Sequence, residues 1–349
     1  MNKKLIIVIG MIIGLLVTGL AGFAAQKPGE GVSVTVGRAT WQSAKPVEAV
    51  TTLLMERLGY DVKPPKSMSN PIFYQSLALG DLDYWPNVWW PLHAPQLPDD
   101  FEESASILGR IVKNGAIQGF LVDKKTAEKF NIVSLTDFKR PEVIEAFDYD
   151  GNGKANLGAC PPGWGCEEAI KRMLNTYNLR DYIEPAKPGY SAMFADRKTR
   201  YEKGESVFYY TWTPNYTVLQ LEPGKDVVWI NTPYIDPTNE AQEAVISQAG
   251  VGAMVIHNLK GAVTEYIHTG WPPGDIRFAA NDKFLDNNPA AKKLMELVEI
   301  PMEALNEMTR RISEGEDERA DVLGMAETWL QENNDKVQSW LEEARAAAE

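Results

Sequence analysis

Segments with the residue spacing of β-strands alternate with segments of helical spacing along most of this chain, and this limits its fold more than any other feature. Residues 32–40 alternate valine with small polar residues, as in a strand, and residues 46–60 place apolar side chains at helical spacing between Pro46 and Gly59. Further strands are predicted at residues 115–123, 205–214 and 226–234. The alternation indicates an α/β protein with parallel sheets.

The last third of the chain is predicted to be mostly helical. Residues 290–300 and 317–347 carry amphipathic stripes, and we expect Trp329 and Trp340 to pack in the core or on a neighbouring lobe. A chain of 349 residues is long enough to form two lobes. Because no low-complexity linker divides the chain, two lobes would have to share it through crossover strands.

The N-terminus has the layout of a secretory signal. Two lysines precede an apolar run over residues 5–20, and small residues follow as far as Ala25. We therefore predict a signal peptide at residues 1–25, with an uncleaved anchor as the alternative, since the apolar run is long enough for one. An exported chain meets oxidising conditions, which favour a disulfide between its two cysteines, Cys160 and Cys166.

Charge and motif content argue against several functional classes. The net charge of −13 disfavours nucleic acid and anionic membrane surfaces as partners. The chain lacks HExxH, GxSxG, Walker A and dinucleotide motifs, so we expect no enzyme active site, no cofactor and no metal. Residues 148–159 resemble a calcium loop, but Ala159 stands where that loop needs a bidentate glutamate. An Asx-rich turn is the default there, and calcium binding is the alternative.

Three of the ten tryptophans lie beside glycine or proline in loop-like contexts. They are Trp89 in PNVWWPLH, Trp164 in PPGWGC and Trp212 in YYTWTP. Several indole faces around one space form a cage that attracts a quaternary ammonium through the ring quadrupoles. Tryptophans also stack on sugars, so a secreted carbohydrate-active enzyme is the alternative from another functional class.

The stretch CPPGWGCEE, residues 160–168, offers a second half-site next to one of these indoles. If a helix begins near Cys166, the backbone amides of Gly165 and Cys166 are among its unpaired N-terminal donors, which bind carboxylates. Trp164 directly precedes those amides. The short loop closed by Cys160 and Cys166 would therefore present an indole face that binds a cation and backbone amides that bind an anion. This combination suits a small zwitterion with a methylated ammonium and a carboxylate.

With these residues in view, the chain from about Gly31 onward resembles the glycine betaine/proline betaine-binding proteins of osmoprotectant ABC transporters. The resemblance rests on five segments that keep the family's order: NGAIQGFLVDKKTA (114–127), DGNGKANLGACPPGWGCEEAI (150–170), GESVFYYTWTPNY (204–216), PGKDVVWI (223–230) and NNPAAKKLMELVEIP (287–301). It implies a periplasmic protein with two α/β lobes, joined by crossover strands, that close on a ligand in the cleft between them. It further implies a monomer that binds without catalysis and delivers its ligand to a membrane permease driven by an ATPase.

The resemblance also implies roles for particular residues. The family's three-tryptophan cage corresponds to Trp89, Trp164 and Trp212, and its disulfide corresponds to Cys160 and Cys166. Its carboxylate contacts correspond to the amides of Gly165 and Cys166 and to the side chain of His93.

The implied lobe boundaries place residues 30–114 and 275–349 in lobe 1 and residues 115–274 in lobe 2. Residues 241–268 are expected to be an insertion of helical, apolar character that covers the cleft or contacts a partner.

One departure from the family bears on the ligand. The first cage motif reads VWWPLH, where Val88 and Trp90 replace the polar neighbours expected on either side of the cage tryptophan. Trp90 is expected to line the pocket or to support Trp89. Cage size and ligand range therefore stay open, with choline, carnitine and dimethylsulfoniopropionate as alternative ligands of the same fold.

Overall fold

The structure, a computed structural model, describes residues 27–232, 255–271 and 273–349. The predicted signal peptide at residues 1–25 lies outside the described residues, and so does the first half of the predicted insertion, residues 241–254. Of the helices in the described ranges, none combines the length and the apolar character that crossing a bilayer requires.

The strands are β1 Ser33–Val34, β2 Asp61–Val62, β3 Tyr84–Trp90, β4 Ala105–Asp123, β5 Ala155–Gly158, β6 Ile183–Ala186, β7 Phe208–Thr213, β8 Val227–Ile230, β9 Val255–His257, β10 Tyr266–His268 and β11 Gly274–Asn281. The main sheet has the order β3-β11-β4-β7-β5-β6, with β8 also paired to β4. Two smaller pairs, β1 with β2 and β9 with β10, lie apart from it in the hydrogen-bonding pattern.

The α-helices are α1 Ala44–Arg57, α2 Asn70–Leu79, α3 Lys124–Phe130, α4 Pro141–Phe147, α5 Gly165–Thr176, α6 Tyr190–Glu202, α7 Thr217–Gln220, α8 Asp282–Asn287, α9 Pro289–Leu297, α10 Met302–Ser313, α11 Arg319–Glu332 and α12 Asn334–Ala346. Short 3₁₀ turns occur at Ala94–Gln96, Phe101–Glu103 and Leu135–Lys139. Strands and helices thus alternate as predicted, and the α/β class is confirmed.

Strand β4 is the longest of the described strands and connects two parts of the main sheet. Its first part pairs with β11, from Ala105 opposite Asn281 to Ala116 opposite Gly274. From Ile117 onward it pairs with β7 and β8 instead. A single strand therefore belongs to both halves of the sheet, as a crossover strand must.

The prediction of parallel sheets holds only for part of the molecule. Strand β5 is parallel to β6 and β7, and β1 is parallel to β2. Strand β4 is antiparallel to β7, β8 and β11 because those strands return alongside it in the opposite direction. The sheet is therefore mixed, and its antiparallel part is built around the crossover strand.

The C-terminal segment at residues 317–347 contains two successive helices. Helix α11 ends at Glu332 and α12 begins at Asn334. Asn333 lies between them, and its side-chain Nδ2 donates to the carbonyl oxygen of Trp329 over 2.8 Å, which satisfies an acceptor at the end of α11. Trp329 and Trp340 are buried, as predicted for core tryptophans.

The described part of the predicted insertion is a β-hairpin, so the expectation of helix there is wrong for residues 255–268. Strands β9 and β10 are antiparallel. The segment between them docks on Trp229 of β8, whose backbone N–H donates to Gly261 over 2.9 Å and whose carbonyl accepts from Val263 over 3.0 Å. β-Branched residues in β9 and β10 favour strands, and the backbone groups of β8 provide the partners.

Candidate functional site

Two strands and one helix start position the three tryptophans that the sequence singled out. Trp89 is the second-last residue of β3, Trp212 lies one residue before the end of β7, and Trp164 directly precedes α5. Trp89 and Trp212 therefore lie at strand ends rather than in loops, and both are buried, whereas Trp164 is half-buried. All three line one cavity.

This cavity, called the cage below, also brings together the remaining predicted ligand-binding residues. Its lining consists of Trp41, Trp89, Leu92, His93, Gln118, Trp164, Gly165, Cys166, Tyr210 and Trp212. The six residues predicted from the sequence to contact a ligand thus lie around a single space. Trp90 is the last residue of β3, pairs with Asp275 of β11 and stands outside this lining set.

Neighbouring indoles around the cage stand nearly perpendicular to one another. The ring centroids of Trp164 and Trp212 are 5.5 Å apart with an 80° angle between the ring planes. The Trp89 and Trp212 rings are 6.5 Å apart at 88°, and those of Trp41 and Trp164 are 5.3 Å apart at 72°. The indoles thus surround the cavity in edge-to-face contact with one another rather than in a parallel stack.

Sequence reasoning missed Trp41, Leu92, Gln118 and Tyr210. Trp41 lies between the predicted strand 32–40 and α1, and it is buried. The signal that would have found it is a tryptophan at the junction of two predicted elements, which differs from the nearby glycine or proline that marked the other three cage indoles. Gln118 is the one amide side chain in the predicted strand 115–123, and its Oε1 accepts from the Tyr210 hydroxyl over 2.6 Å.

Each cage indole N–H is bound by an oxygen that does not line the cavity. The Asn87 side-chain Oδ1 accepts from both Trp41 Nε1 over 2.8 Å and Trp89 Nε1 over 3.1 Å. The other two pairs are Trp164 Nε1 to Thr40 Oγ1 over 2.9 Å and Trp212 Nε1 to Ser43 Oγ over 3.3 Å. These bonds fix the orientation of the rings and leave their faces to the cavity.

His93 is buried beneath the cage, with both ring nitrogens engaged by protein groups. Nδ1 lies 2.9 Å from the Tyr74 hydroxyl and Nε2 lies 3.2 Å from Asn70 Nδ2. Its ring stacks on Trp85 with the centroids 5.6 Å apart. Burial lowers the pKa of His93 to about 3, so the ring is neutral at physiological pH. The expected contact of His93 with a carboxylate stays a prediction.

The start of α5 approaches the cage by its backbone. Gly165 and Cys166 are the first residues of this helix, and their N–H groups have no carbonyl partner within it. A Cβ at Gly165 would lie 3.0 Å from His93 Cδ2 and 3.1 Å from Leu92 Cγ, closer than nearly all real Cβ contacts. Glycine at this position lets the helix start lie against the opposite side of the cage.

Covalent and polar contacts hold the loop before α5. The predicted disulfide between Cys160 and Cys166 is present, with the two Cα atoms 5.9 Å apart. Glu167 accepts from the Gly163 N–H over 3.0 Å and from Lys187 Nζ over 2.7 Å. Partial burial raises the pKa of Glu167, but the hydrogen bonds from Lys187 and Gly163 outweigh this and lower it overall. The Glu167 carboxylate thus bonds Gly163 and Lys187, and Glu167 is not among the residues that line the cage.

Within residues 148–159, the part that precedes β5 folds as an Asx-rich turn. The Asp148 carboxylate accepts from the backbone N–H groups of Gly151, Asn152 and Gly153 over 2.8–3.0 Å. Within the described ranges, no group of three or more histidine, cysteine or acidic side chains has the arrangement of a metal site.

Comparison with known proteins identifies the family. Residues 32–332 match the model of the substrate binding domain of ABC-type glycine betaine transport systems. The chain is 32% identical over 337 residues to the glycine betaine/proline betaine-binding periplasmic protein of Salmonella typhimurium, covering 95% of this chain and 96% of that one.

Solved structures of similar fold include two conformations. The structure of lactococcal OpuAC in its closed-liganded conformation with glycine betaine has a TM-score of 0.63 at 20% identity, covering 89% of this chain and 99% of that chain. An ABC-transporter choline binding protein in an unliganded semi-closed conformation has a TM-score of 0.62 at 16% identity, covering 88% and 91%. At these identities the likeness establishes the two-lobed periplasmic-binding-protein fold. Together with the match of the family model over most of the sequence, it leads to one conclusion: the chain belongs to the family of substrate-binding domains of ABC-type glycine betaine transport systems.

Proposed function

We propose that this protein binds a betaine-like zwitterion, glycine betaine or proline betaine, in the cage and delivers it to an ABC importer. The observation that carries the proposal is the chemistry of the lining. In the described part of the chain, the residues around the cage are aromatic, apolar or amide-bearing, and none is an aspartate, glutamate, lysine or arginine. A cavity without formal charge suits a ligand whose own charges sum to zero.

The quaternary ammonium occupies the aromatic part of the cage. Trp89, Trp164 and Trp212 provide π faces on three sides, and Trp41 adds a fourth. A desolvated cation–π contact is worth about 2 kcal/mol. The π faces attract a trimethylated nitrogen by themselves. The site therefore needs no buried acidic side chain to bind the ammonium group.

The carboxylate of the ligand binds at the start of α5. The N–H groups of Gly165 and Cys166 and the positive end of the helix dipole favour an anion there. We propose His93 as the third contact, as the family resemblance implies. Because the ring nitrogens of His93 hydrogen-bond Tyr74 and Asn70, one of these two hydrogen bonds has to break before His93 can contact the carboxylate.

Two lobes close around the ligand. We propose the boundaries implied by the sequence, with residues 30–114 and 275–349 in lobe 1 and residues 115–274 in lobe 2. Their support is the change of partner within β4, which pairs with β11 up to Ala116 and with β7 from Ile117. Residues from both lobes line the cage, so a ligand that bridges them shifts the population towards the closed form.

The wider setting follows from the family. We propose a monomer in the periplasm that presents its closed form to a membrane permease with an attached ATPase, and that has no catalytic activity. Transport, rather than chemistry on the ligand, explains a cage whose only predicted polar contacts are backbone amides and one neutral imidazole.

Titration of intrinsic tryptophan fluorescence tests the proposal. Glycine betaine should bind at least about tenfold more tightly than choline, since hydrogen bonds to a charged group contribute about 1.5–3 kcal/mol each and choline lacks the carboxylate. Maltooligosaccharides should produce no saturable change. Equal affinities for betaine and choline would show that α5 does not hold a carboxylate, and saturable oligosaccharide binding alone would contradict the proposed ligand class.

A further inference from the structure

Two hydroxyl groups of lobe 1 accept hydrogen bonds from cage indoles of lobe 2. Thr40 Oγ1 accepts from Trp164 Nε1 over 2.9 Å, and Ser43 Oγ accepts from Trp212 Nε1 over 3.3 Å. Thr40 and Ser43 lie on the short segment before α1, more than a hundred residues from either indole. Both bonds therefore cross the cleft between the lobes that we propose.

Ser43 is at the N-cap position of α1, but its hydroxyl does not cap the helix and bonds a residue across the cleft instead. It is the N-cap residue of α1, where a serine hydroxyl ordinarily accepts from an N–H group of the first helical turn. Here the side chain makes no capping hydrogen bond, and the backbone has helical rather than extended dihedral angles. The hydroxyl is buried and serves the indole of Trp212 instead.

The geometry points to Thr40 and Ser43 as a latch: their hydroxyls position Trp164 and Trp212 and stabilise the closed form without touching the ligand. The inference rests on the proposed function, because it assumes that the lobes close on a ligand in the cage. Thr40 and Ser43 stand outside the residues that line the cavity, whereas both indoles line it. The hydroxyls thus act on the ligand only through the indoles and the lobe equilibrium.

The effect of the Thr40 and Ser43 hydrogen bonds on ligand affinity depends on whether they exist in the closed form, the open form or both. When the lobes separate, water replaces the protein partner of each hydroxyl and each indole, so the two bonds count only in the closed form. Their loss lowers the closed fraction of the free protein. The apparent dissociation constant of any ligand that needs the closed form then rises by one common factor.

The dissociation constants of two different ligands distinguish a latch residue from a residue that contacts the ligand. A group that touches the carboxylate changes the affinity for glycine betaine and leaves that for choline nearly unaltered. A latch residue raises both dissociation constants equally and preserves their ratio.

The test compares isosteric and conservative substitutions. Thr40→Val removes the acceptor at constant shape, whereas Thr40→Ser keeps it. Ser43→Ala removes the second acceptor and costs no helix cap, since Ser43 makes none. Thr328→Val is the matched control, because it deletes a hydroxyl that bonds only the Gly324 carbonyl within the exposed face of α11.

Dissociation constants for glycine betaine and choline are measured by fluorescence, together with melting temperatures. We expect Thr40→Val and Ser43→Ala each to weaken both ligands by the same factor, about 2- to 10-fold, as the net value of a hydrogen bond implies. Thr40→Ser and Thr328→Val should bind like the unaltered protein. Unchanged affinities, or a changed betaine-to-choline ratio, would overturn the latch.

A measurement on the free protein separates failure of the latch from failure of the proposed function. Small-angle scattering should give a larger radius of gyration for the Thr40→Val/Ser43→Ala double variant than for the unaltered protein, with no ligand added. If the unaltered protein fails to bind betaine, the proposed ligand is wrong, yet this comparison still decides the latch. Equal radii would contradict it.

Discussion

At the scale of single residues, the site depends on side chains whose neighbours the sequence does not reveal. Asn87 is the clearest case. Its Oδ1 holds two indoles at once, Trp41 and Trp89, although its place in the sequence resembles any polar residue in a strand. A local sequence pattern, such as tryptophan beside proline, identifies candidate residues. It does not identify the hydrogen-bond acceptor that fixes the orientation of each indole ring.

The cage indoles should dominate affinity, and Trp89 and Trp212, which are as buried as Trp329 and Trp340, should also contribute to stability. Replacing Trp89, Trp164 or Trp212 by alanine removes a cation–π face worth about 2 kcal/mol. We expect each variant to weaken betaine binding about 10- to 100-fold. Trp329→Ala and Trp340→Ala, which empty buried sites in the C-terminal helices, should lower the melting temperature and leave the affinity of the folded protein nearly unchanged.

Calorimetric titration and thermal melting of all five variants together provide the measurement. Tyrosine at the three cage positions should cost less than alanine because it keeps a π face. Cage variants that melt early but bind betaine normally would mean that these tryptophans are core residues and that the cage interpretation is wrong.

At the scale of elements, the sequence located several helices and strands but not the contacts that end or pair them. The boundary at Asn333 depends on a side chain that bonds the end of the preceding helix. The hairpin at residues 255–268 depends on Trp229 of β8, which is distant in sequence. The antiparallel pairing of β4 likewise follows from where later strands return, which local periodicity does not encode. The segment 160–176 was predicted well because its disulfide, loop and helix are local in the chain.

The disulfide of that segment should matter more for binding than for stability. A covalent ring this short constrains the unfolded chain by only about 2 kcal/mol in the loop-entropy model. In the native protein it fixes Cys166 and, through it, the start of α5 beside Trp164. The Cys160→Ser/Cys166→Ser variant should therefore bind betaine about tenfold more weakly while losing only a few degrees, roughly 2–5 °C, in melting temperature.

Fluorescence titration and melting curves of this variant, alongside the unaltered protein with and without a reductant, test the point. Native affinity in the double serine variant would show that the loop is held well enough by Glu167 and its bonds to Gly163 and Lys187.

At the scale of the whole molecule, charge as well as backbone pairing holds the two crossover strands together on the lobe 1 side of the proposed boundary. Asp275, at the start of β11, accepts from Arg110 of β4 over 2.8 Å, from the Asn114 N–H over 3.0 Å and from Arg277 over 2.7 Å. Burial raises the pKa of Asp275, but these hydrogen bonds outweigh it and lower the pKa overall. The carboxylate thus stays charged and binds both crossover strands where the proposed lobes meet.

Because the proposed ligand site lies between halves that share β4, ligand binding should stabilise the molecule as one unit. A ligand that binds only the folded state adds about 2.7 kcal/mol to the free energy of unfolding at a concentration of 100 times its dissociation constant. For a chain of this size, that corresponds to an upward shift of roughly 5 °C in melting temperature. Calorimetric scans with and without glycine betaine should show a single transition that moves as a whole, and maltose should leave it in place. Two transitions, of which betaine moves only one, would mean that the ligand contacts one half of the molecule and that the cage does not bridge the lobes.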